Sequence, residues 1–260
     1  MYKRNSMCNK FHIKKQRLKR KLYVSDDSAY KYLQKYKSSY PNVKSIDDTI
    51  AKLVNSNVSI SRFGDGEFLL MTGRSISFQK HSKLLETRLL EIVNSNTSDC
   101  IIGIIDYVIE GMTAYTRDFW YENISLLKKV LHHKEYYNAR ITWELDRHRI
   151  EMFRSLWEGK DIVFVTGAGS EFDYNHELFD NKSSAQVVLG KSVDAFSEYE
   201  ILLNKIVAQV NAVKSPLVIL SLGPTASVLA YDLSKMGIRS LDIGHITNMY
   251  DKKFSKEKQA

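Results

Sequence analysis

Two carboxylates stand two residues apart in a glycine-rich segment, Arg62-Phe-Gly-Asp-Gly-Glu67, which directly follows an alternating apolar run. If this segment is extended, the side chains of Asp65 and Glu67 point to the same side. Gly64 and Gly66 allow a sharp turn and let a ligand approach the backbone closely. Hard carboxylate oxygens suit Mg²⁺ or Mn²⁺, which one or two carboxylates commonly hold together with substrate phosphates. The spacing therefore indicates a metal and nucleotide site. The open alternative is a polar turn that caps a helix beginning near Glu67.

A second segment with binding chemistry is Ser221-Leu-Gly-Pro-Thr-Ala226, between an apolar run and a helical pattern. Gly223 lets the chain turn, Pro224 suits the start of a helix, and Thr225 adds a hydroxyl beside the first N–H groups. These N–H groups and the helix dipole form an anion site that suits a diphosphate. Simple capping of the helix is the alternative.

A third glycine-containing segment, Thr166-Gly-Ala-Gly-Ser-Glu-Phe172, begins like a dinucleotide-binding loop. The third glycine of that pattern is replaced by Phe172, so NAD binding is not expected. Gly167 and Gly169 still allow a ligand to approach the backbone closely.

Of the histidines, His245 has the most informative position, because it follows Leu241-Asp-Ile-Gly244 at the end of the last predicted strand. This position would place His245 and Asp242 near the other three segments. A hydrogen-bonded core histidine is the alternative.

The surrounding pattern predicts the elements that position these residues. Strands are expected at 58–63, 100–105, 161–166, 185–189, 217–222 and 239–243. Helices are expected at 26–37, 45–55 with Ser45 as N-cap, 84–93, 118–131, 147–158, 175–179, 197–213 and 225–236. Such alternation predicts an α/β fold, a Rossmann-like and mostly parallel sheet flanked by helices. Ligands of open α/β sheets bind beyond the carboxyl ends of the strands, so the four segments are expected to meet at that edge.

The net charge of +8 is concentrated at one end of the chain. Residues 1–24 hold nine Lys or Arg and no acid, and the other 236 residues hold 29 basic and 30 acidic side chains. The arm of residues 1–24 is expected to be a partly disordered, solvated tail. The functional alternative is electrostatic adhesion, either to the anionic headgroups of a membrane as a peripheral contact or to an acidic partner. Nucleic acid is not an expected partner, because the body has no basic stripe.

The 2 cysteines form no disulfide framework and no apolar run approaches the ~18 residues of a membrane span. We therefore expect a cytoplasmic protein, located at the inner face of the membrane if the arm binds lipid. We expect residues 25–260 to form a single domain.

Taken in order, the segments resemble the bacterial glycosyltransferases of the GT-D fold. The resemblance covers about residues 46–250 and includes Phe78-Gln79, Asn175, Leu178-Phe179, the run 222–234 and Leu241-Asp-Ile-Gly-His245. It implies a UDP-sugar-dependent transferase in which Asp65 and Glu67 bind the metal ion, Mn²⁺ or Mg²⁺, and the nucleotide. Gly223, Pro224, Thr225, Asp242 and His245 would form the site wall.

Two departures from the family pattern concern the acceptor. Thr247 and Met249-Tyr250 stand where an Asp and a Glu-Tyr pair are common, and Trp143 stands where Arg is common.

The function expected from the resemblance is metal-dependent transfer of a sugar from a nucleotide sugar to a glycan or glycoprotein hydroxyl in bacterial surface glycan synthesis. Asp242 and His245 are the candidates for a general base. The nucleotide-sugar-binding residues are expected to be Arg62, Gly64, Gly66, Gly167, Gly169, Gly223, Pro224 and Thr225. Two other functions stay open: a Rossmann-like methyltransferase or nucleotide hydrolase, and a noncatalytic nucleotide-sugar-binding subunit.

Overall fold

A computed structural model describes residues 26–108 and 113–254. These residues group into two compact units. The smaller contains 26–40, 107–108 and 113–128, and the larger contains 41–106 and 129–254. The expectation of one domain over residues 25–260 stays a prediction, and the basic arm, residues 1–24, lies outside the described part of the chain.

The smaller unit is built on aromatic packing. It contains helix α1 (Asp26–Gln34), the short 3₁₀ helix Lys37–Ser39 and most of a helix that runs over Ala114–Val130. The Trp120 ring has its centroid 4.8 Å from that of Tyr107 and 5.4 Å from that of Tyr40, both edge-on. Edge-to-face contacts at such distances stabilise aromatic clusters beyond the area they bury.

The larger unit is an α/β structure built on a parallel sheet. Within the described residues its eight strands are β1 (Asn42–Val43), β2 (Ser59–Phe63), β3 (Cys100–Ile104), β4 (Glu135–Asn138), β5 (Asp161–Gly167), β6 (Ser184–Gly190), β7 (Pro216–Ser221) and β8 (Ser240–Asp242). Their order in the sheet is β1-β4-β3-β2-β8-β7-β5-β6, and every pair is parallel. The predicted fold class is confirmed, and β1 and β4 are additions to the predicted strands.

Helices follow the strands in the alternation that the sequence predicts. They are α2 (Ile46–Val54), α3 (Asp65–Met71), α4 (Lys83–Val93), α5 (Ala114–Val130), α6 (Arg147–Trp157), α7 (Tyr199–Asn211), α8 (Pro224–Lys235) and α9 (Ile246–Phe254). Two further 3₁₀ helices span Glu177–Phe179 and Ala195–Glu198. Ser45 caps α2 as predicted, since its hydroxyl accepts the Asp48 N–H at 3.0 Å. The helix α9 was not predicted.

The central strands are apolar on both faces because both faces are covered. On β5, Ile162 and Phe164 belong to the core beneath α2, α6 and α9, whereas Val163 and Val165 belong to the core beneath α7 and α8. Because helices cover both faces of the sheet, loops and helix starts can form a site at its carboxyl edge.

The join between β2 and β8 has little backbone pairing. Within the described residues a single register pair, Ile60 with Leu241, links the two strands. Side chains add to it: the Ser59 hydroxyl accepts the Ser240 N–H at 3.0 Å and the Ser240 hydroxyl at 3.4 Å. Strand β8 thus lies between β2 and β7 and joins the first half of the sheet to the second.

Candidate functional site

The two predicted carboxylates lie in the first turn of a helix. Gly64 is the extended N-cap residue, and α3 begins at Asp65 rather than near Glu67. Successive helical residues turn by about 100°, so side chains two residues apart diverge around the axis. The expectation that Asp65 and Glu67 point the same way was therefore wrong, because the helix begins before the segment can be extended.

Glu67 folds back onto the start of its own helix. One of its oxygens, Oε2, accepts the Gly64 N–H at 2.7 Å, as in the glutamate half of a capping box. The side chain is buried. Burial, followed by the negative charges of Asp242 and Asp65, raises the pKa of Glu67 to about 7, although two N–H groups oppose this rise. The capping alternative is thus confirmed for Glu67. The carboxyl group of Glu67 also lies near two other carboxylates, those of Asp242 and Asp65.

Asp65 is less buried than Glu67. Its Oδ1 accepts the Gly66 N–H at 3.0 Å, and the side chain keeps partial access to solvent. A carboxylate at the first turn of a helix is favoured by the helix dipole. Asp65 is accordingly the carboxylate of the pair that a ligand can reach.

Asp242 ends strand β8 and is paired with Arg62 of the neighbouring strand β2. Its Oδ1 lies 3.3 Å from Arg62 Nη2, and its Oδ2 accepts the Arg62 backbone N–H at 3.3 Å. Burial raises the pKa of Asp242 despite the guanidinium beside it. This buried carboxylate is placed to hold Arg62, and it adds negative charge near Glu67.

The Arg62 guanidinium ties two further segments to this edge. Its Nη1 donates to the Ala139 carbonyl at 2.9 Å and to the Thr142 hydroxyl at 3.3 Å, both in the loop after β4. Its Nε is buried and has no hydrogen-bond partner among the described residues. Gly244 has φ +52°, and a Cβ there would collide with Arg62 Nη2. Arg62 therefore connects β2, β8 and the loop after β4, and its Nε–H group has no partner among the described residues.

The start of α8 lies beside the end of β2. The Ser227 hydroxyl, in the first turns of α8, donates to the Arg62 carbonyl at 2.7 Å. Gly223 is the N-cap residue and Pro224 opens the helix, as the sequence predicted. This bond brings the predicted diphosphate loop next to the acidic start of α3.

Thr225 is more enclosed than the sequence suggests. Its hydroxyl is fully buried and lies 3.4 Å from Gln79 Oε1. Gln79 is itself buried, and its Nε2 donates to Asp194 Oδ1 at 2.7 Å. Gln79 was not predicted as a site residue, although Phe78-Gln79 belongs to the resemblance. The sequence feature that could have indicated Gln79 is an amide side chain next to an aromatic residue in a polar loop.

The third predicted loop, after β5, packs closely on its neighbour after β6. A Cβ on Gly167 would lie 3.1 Å from Ser192 Cα, and Gly169 adopts φ +74°. Both glycines are thus required by the protein's own backbone. Thr166 and Ser221, register partners at the ends of β5 and β7, are buried, and their hydroxyls lack partners among the described residues. The sequence feature that could have indicated this pair is a polar residue at the end of each of two apolar strands.

His245 lies on the same edge. It is exposed, follows Asp242 by three residues, and its carbonyl accepts the Met249 N–H in the first turn of α9. The candidate site residues thus come from four strand ends. Asp65 and Glu67 follow β2, Asp242 and His245 lie at and after the end of β8, the α8 start follows β7, and Gly167 ends β5.

The acidic residues fit a divalent cation only in part. No group of three or more His, Cys, Asp or Glu side chains within residues 26–108 and 113–254 is arranged to hold a metal ion. Asp65 and Glu67 offer hard oxygen donors, and the negative charge around Glu67 favours a cation nearby. One or two carboxylates are enough where substrate phosphates supply the other ligands. These residues fit that arrangement and do not form an all-protein cage.

The chain is similar to known proteins over most of its length. The model of the family described as glycosyltransferase GT-D fold matches residues 60–259. A probable glycosyl transferase Gly of Streptococcus gordonii is 30% identical, over 81% of this chain and 33% of that protein. The glycosyltransferase GlyD of Streptococcus pneumoniae serotype 4 is 28% identical, over 80% of this chain and 27% of that protein. The chain thus spans a third or less of the length of these relatives.

Two solved structures have a similar fold. One is described as a new glycosyltransferase (DUF1792) from Streptococcus sanguinis; it has a TM-score of 0.74 and 28% identity, and the match covers 84% of this chain and 86% of that chain. The other, described as the domain of unknown function 1792 with a distinct glycosyltransferase fold, has a TM-score of 0.73 at 28% identity. It covers 90% of this chain and 86% of that chain. As for membrane insertion, none of the helices in the described part of this chain has the length and apolarity to cross a bilayer.

Proposed function

Since the chain belongs to the family of glycosyltransferases with the GT-D fold, we propose that it transfers a sugar from a UDP-sugar to a hydroxyl of a glycan or glycoprotein. The observation that supports this proposal most is the bond of 2.7 Å between the Ser227 hydroxyl and the Arg62 carbonyl. It sets the start of a helix, which binds anions, beside a cluster of carboxylates, which bind cations. A nucleotide sugar with a bound cation needs both.

The diphosphate of the donor would lie at the first turn of α8. Gly223 is exposed, whereas Pro224 and Thr225 behind it are buried, so phosphate oxygens can approach the helix start at Gly223. The helix dipole stabilises the negative charge that grows on the leaving diphosphate as the sugar–oxygen bond breaks. Thr225 supports this turn from inside through Gln79 and does not itself face solvent.

Asp65 would be the accessible ligand of Mn²⁺ or Mg²⁺, and the buried carboxylate of Glu67 would hold the ion through its negative charge from the start of the same helix. A bound divalent ion supplies positive charge that neutralises the diphosphate leaving group. Glu67 in addition keeps α3 in place through its bond to the Gly64 N–H, so the chain uses this residue for structure as well as for charge.

His245 is the better placed of the two candidates for a general base. It is exposed at the carboxyl edge, whereas Asp242 is buried and bound on both oxygens by Arg62. A base that accepts the proton of an incoming hydroxyl must reach it directly or through one water molecule. We assign to Asp242 the positioning of Arg62, and to His245 the role of general base for the acceptor hydroxyl.

The acceptor would be a surface glycan or glycoprotein of a bacterium, reached from the cytoplasm. Trp143, which replaces an expected Arg, is 60% exposed and stands at the end of the loop that Arg62 holds. The Arg140 guanidinium lies 5.4 Å from the centre of its ring. An exposed aromatic face with a polar flank suits a sugar ring rather than a core contact.

A donor screen tests the proposal. The full chain is incubated with UDP-glucose, UDP-galactose and UDP-N-acetylglucosamine, each with Mn²⁺ or Mg²⁺, and the release of UDP and transfer to a glycan acceptor are measured. We expect turnover with at least one donor, and loss of turnover in Asp65→Asn. The matched control is Asp99→Asn, which changes a carboxylate outside the site.

The outcomes separate the open alternatives. Release of UDP without transfer to any acceptor indicates a nucleotide hydrolase. Binding of UDP-sugars without turnover indicates a noncatalytic nucleotide-sugar-binding subunit. Turnover of S-adenosylmethionine instead of UDP-sugars indicates a methyltransferase.

A further inference from the structure

Phe78 is a large apolar side chain that stays exposed next to the start of α8. Its exposed fraction is 47%, whereas the next residue, Gln79, is buried. A Cβ on Gly223 would lie 2.8 Å from Phe78 Cε2, so the edge of the aromatic ring rests directly on the N-cap of α8. The glycine makes room for the ring, and the rest of the ring remains open.

The backbone on either side of this ring is held firmly. The Phe78 carbonyl accepts the Asp194 N–H at 2.8 Å, and the Gln79 carbonyl accepts the Ile76 N–H at 3.0 Å. The buried Gln79 side chain donates to Asp194 Oδ1 at 2.7 Å and accepts the Phe196 N–H at 3.3 Å. Two consecutive residues are therefore bound to the segment after β6, which holds the backbone that carries the ring.

Asp194 provides two of these bonds from an unfavourable backbone conformation. With φ +60°, it is the one residue other than glycine with positive φ among the described residues. This conformation costs free energy in residues other than glycine, and it persists where the surrounding structure requires it. Here the conformation directs both the N–H and the carboxylate of Asp194 at Phe78-Gln79.

The segment Ile76–Gln79 also crosses the site from one side to the other. Ile76 lies against Gly66 at the start of α3, with its Cδ1 3.2 Å from where a Cβ of Gly66 would be. Phe78 lies against Gly223, and Gln79 is bound to Asp194 after β6. The carboxylates therefore lie toward β2, and Phe78 lies toward β5 and β6, with the α8 start between them.

We propose that Phe78 is the surface on which the nucleobase of a nucleoside diphosphate stacks. This inference rests on the proposed function, because it takes the diphosphate to lie at the first turn of α8. With the diphosphate there, the planar base reaches the open face of Phe78, and the sugar extends toward Asp65 and His245. Stacking on an aromatic face accepts any base, so Phe78 provides affinity and the direction of the donor but not the choice of uracil.

The test compares ligands with and without a base. Binding of UDP and of inorganic diphosphate, each with Mn²⁺, is measured by calorimetry on the full chain and its variants. Phe78→Ala should weaken UDP binding by about 5- to 150-fold, the range for one aromatic–base stack, and leave diphosphate binding unchanged. Phe78→Leu keeps the bulk without the aromatic face and should behave like Phe78→Ala, whereas Phe78→Tyr should bind like the wild type.

Leu84→Ala is the matched control, since Leu84 is an exposed apolar side chain at the start of α4 and lies outside the site. A second readout comes from Phe78→Trp, whose fluorescence should change on addition of UDP and not on addition of diphosphate. Near-ultraviolet circular dichroism shows that each variant is folded.

The outcomes are distinct. Unchanged UDP affinity in Phe78→Ala, or an equal loss for UDP and diphosphate, overturns the stacking role and leaves the proposed function standing. A wild-type chain that binds neither UDP nor ADP, GDP or CDP overturns both. Weaker UDP binding with unchanged diphosphate binding supports the stacking role.

Discussion

Replacing Glu67 by Gln tests the charge at the start of α3, because glutamine keeps an oxygen for the Gly64 N–H and removes the ionisation. Burial and neighbouring carboxylates raise the pKa of Glu67 from 4.5 to about 7. Between these pH values the folded chain holds a proton that the unfolded chain has lost. The stability gained from this proton is fully present below about pH 4.5 and is lost as the pH rises through 7. At ~1.4 kcal/mol for each pH unit, the loss amounts to about 3 kcal/mol.

Urea unfolding of wild type and Glu67→Gln at pH 5 and pH 8, with EDTA to remove cations, measures this effect. The stability of the variant relative to wild type should rise by about 2 to 3 kcal/mol between the two pH values. The same variant should lose sugar transfer, since the charge that destabilises the fold is the charge proposed to hold the cation.

Glu135→Gln is the control for this experiment. The pKa of Glu135 is lowered by hydrogen bonds from Lys44 and Asn42, which do not change charge between pH 5 and pH 8, so its contribution should be nearly the same at both pH values. If Glu67→Gln shows the same difference from wild type at pH 5 and pH 8, the carboxylate carries no buried charge and our account of the α3 start is wrong.

Three further predictions concern other parts of the chain. Asp65→Asn should abolish donor turnover, and EDTA-treated wild type should match it in an assay of UDP release; full activity after EDTA contradicts a metal ion. Deletion of residues 1–24, which hold nine basic side chains, should reduce sedimentation with anionic vesicles while turnover on a soluble acceptor is kept; equal sedimentation of both chains contradicts a tether. Cys100 is buried and burial raises the pKa of its thiol to about 12, so iodoacetamide should label it only after unfolding in a Cys8→Ser background, as mass spectrometry would show.

The sequence allowed the apolar strands and their helices to be predicted, because burial on both faces leaves a continuous apolar run between glycines and polar turns. β5 and β7 show this pattern directly. β1 and β4 do not, since β1 has two residues, Asn42 and Val43, and β4 is the polar run Glu135–Asn138. Their pairing depends on register with other strands, such as Gly103 with Tyr137, and leaves no local pattern.

The position of the candidate site could be predicted from the sequence, but its side-chain directions and contacts could not. The carboxyl edge follows from the predicted alternation, and the residue types indicate the chemistry. The side-chain directions of Asp65 and Glu67 depend on where α3 begins, which Gly64 decides. The role of Gln79 depends on Asp194 and Thr225, which lie 115 and 146 residues further along the chain. Contacts at such separations appear only when the sheet is complete.

The position of β8 between β2 and β7 determines when the site first exists. Ser240 contacts Ser59 across 181 residues of chain. During synthesis β2 can therefore pair with β3 early, but its other neighbour, β8, is made only when nearly all of the described chain has been synthesised. Strands β5, β6 and β7 can pair before that, but the ion pair between Arg62 and Asp242 cannot form until β8 enters the sheet. A nascent or partly unfolded chain therefore has separated halves of the site. Only molecules that have completed their fold therefore present the whole candidate site.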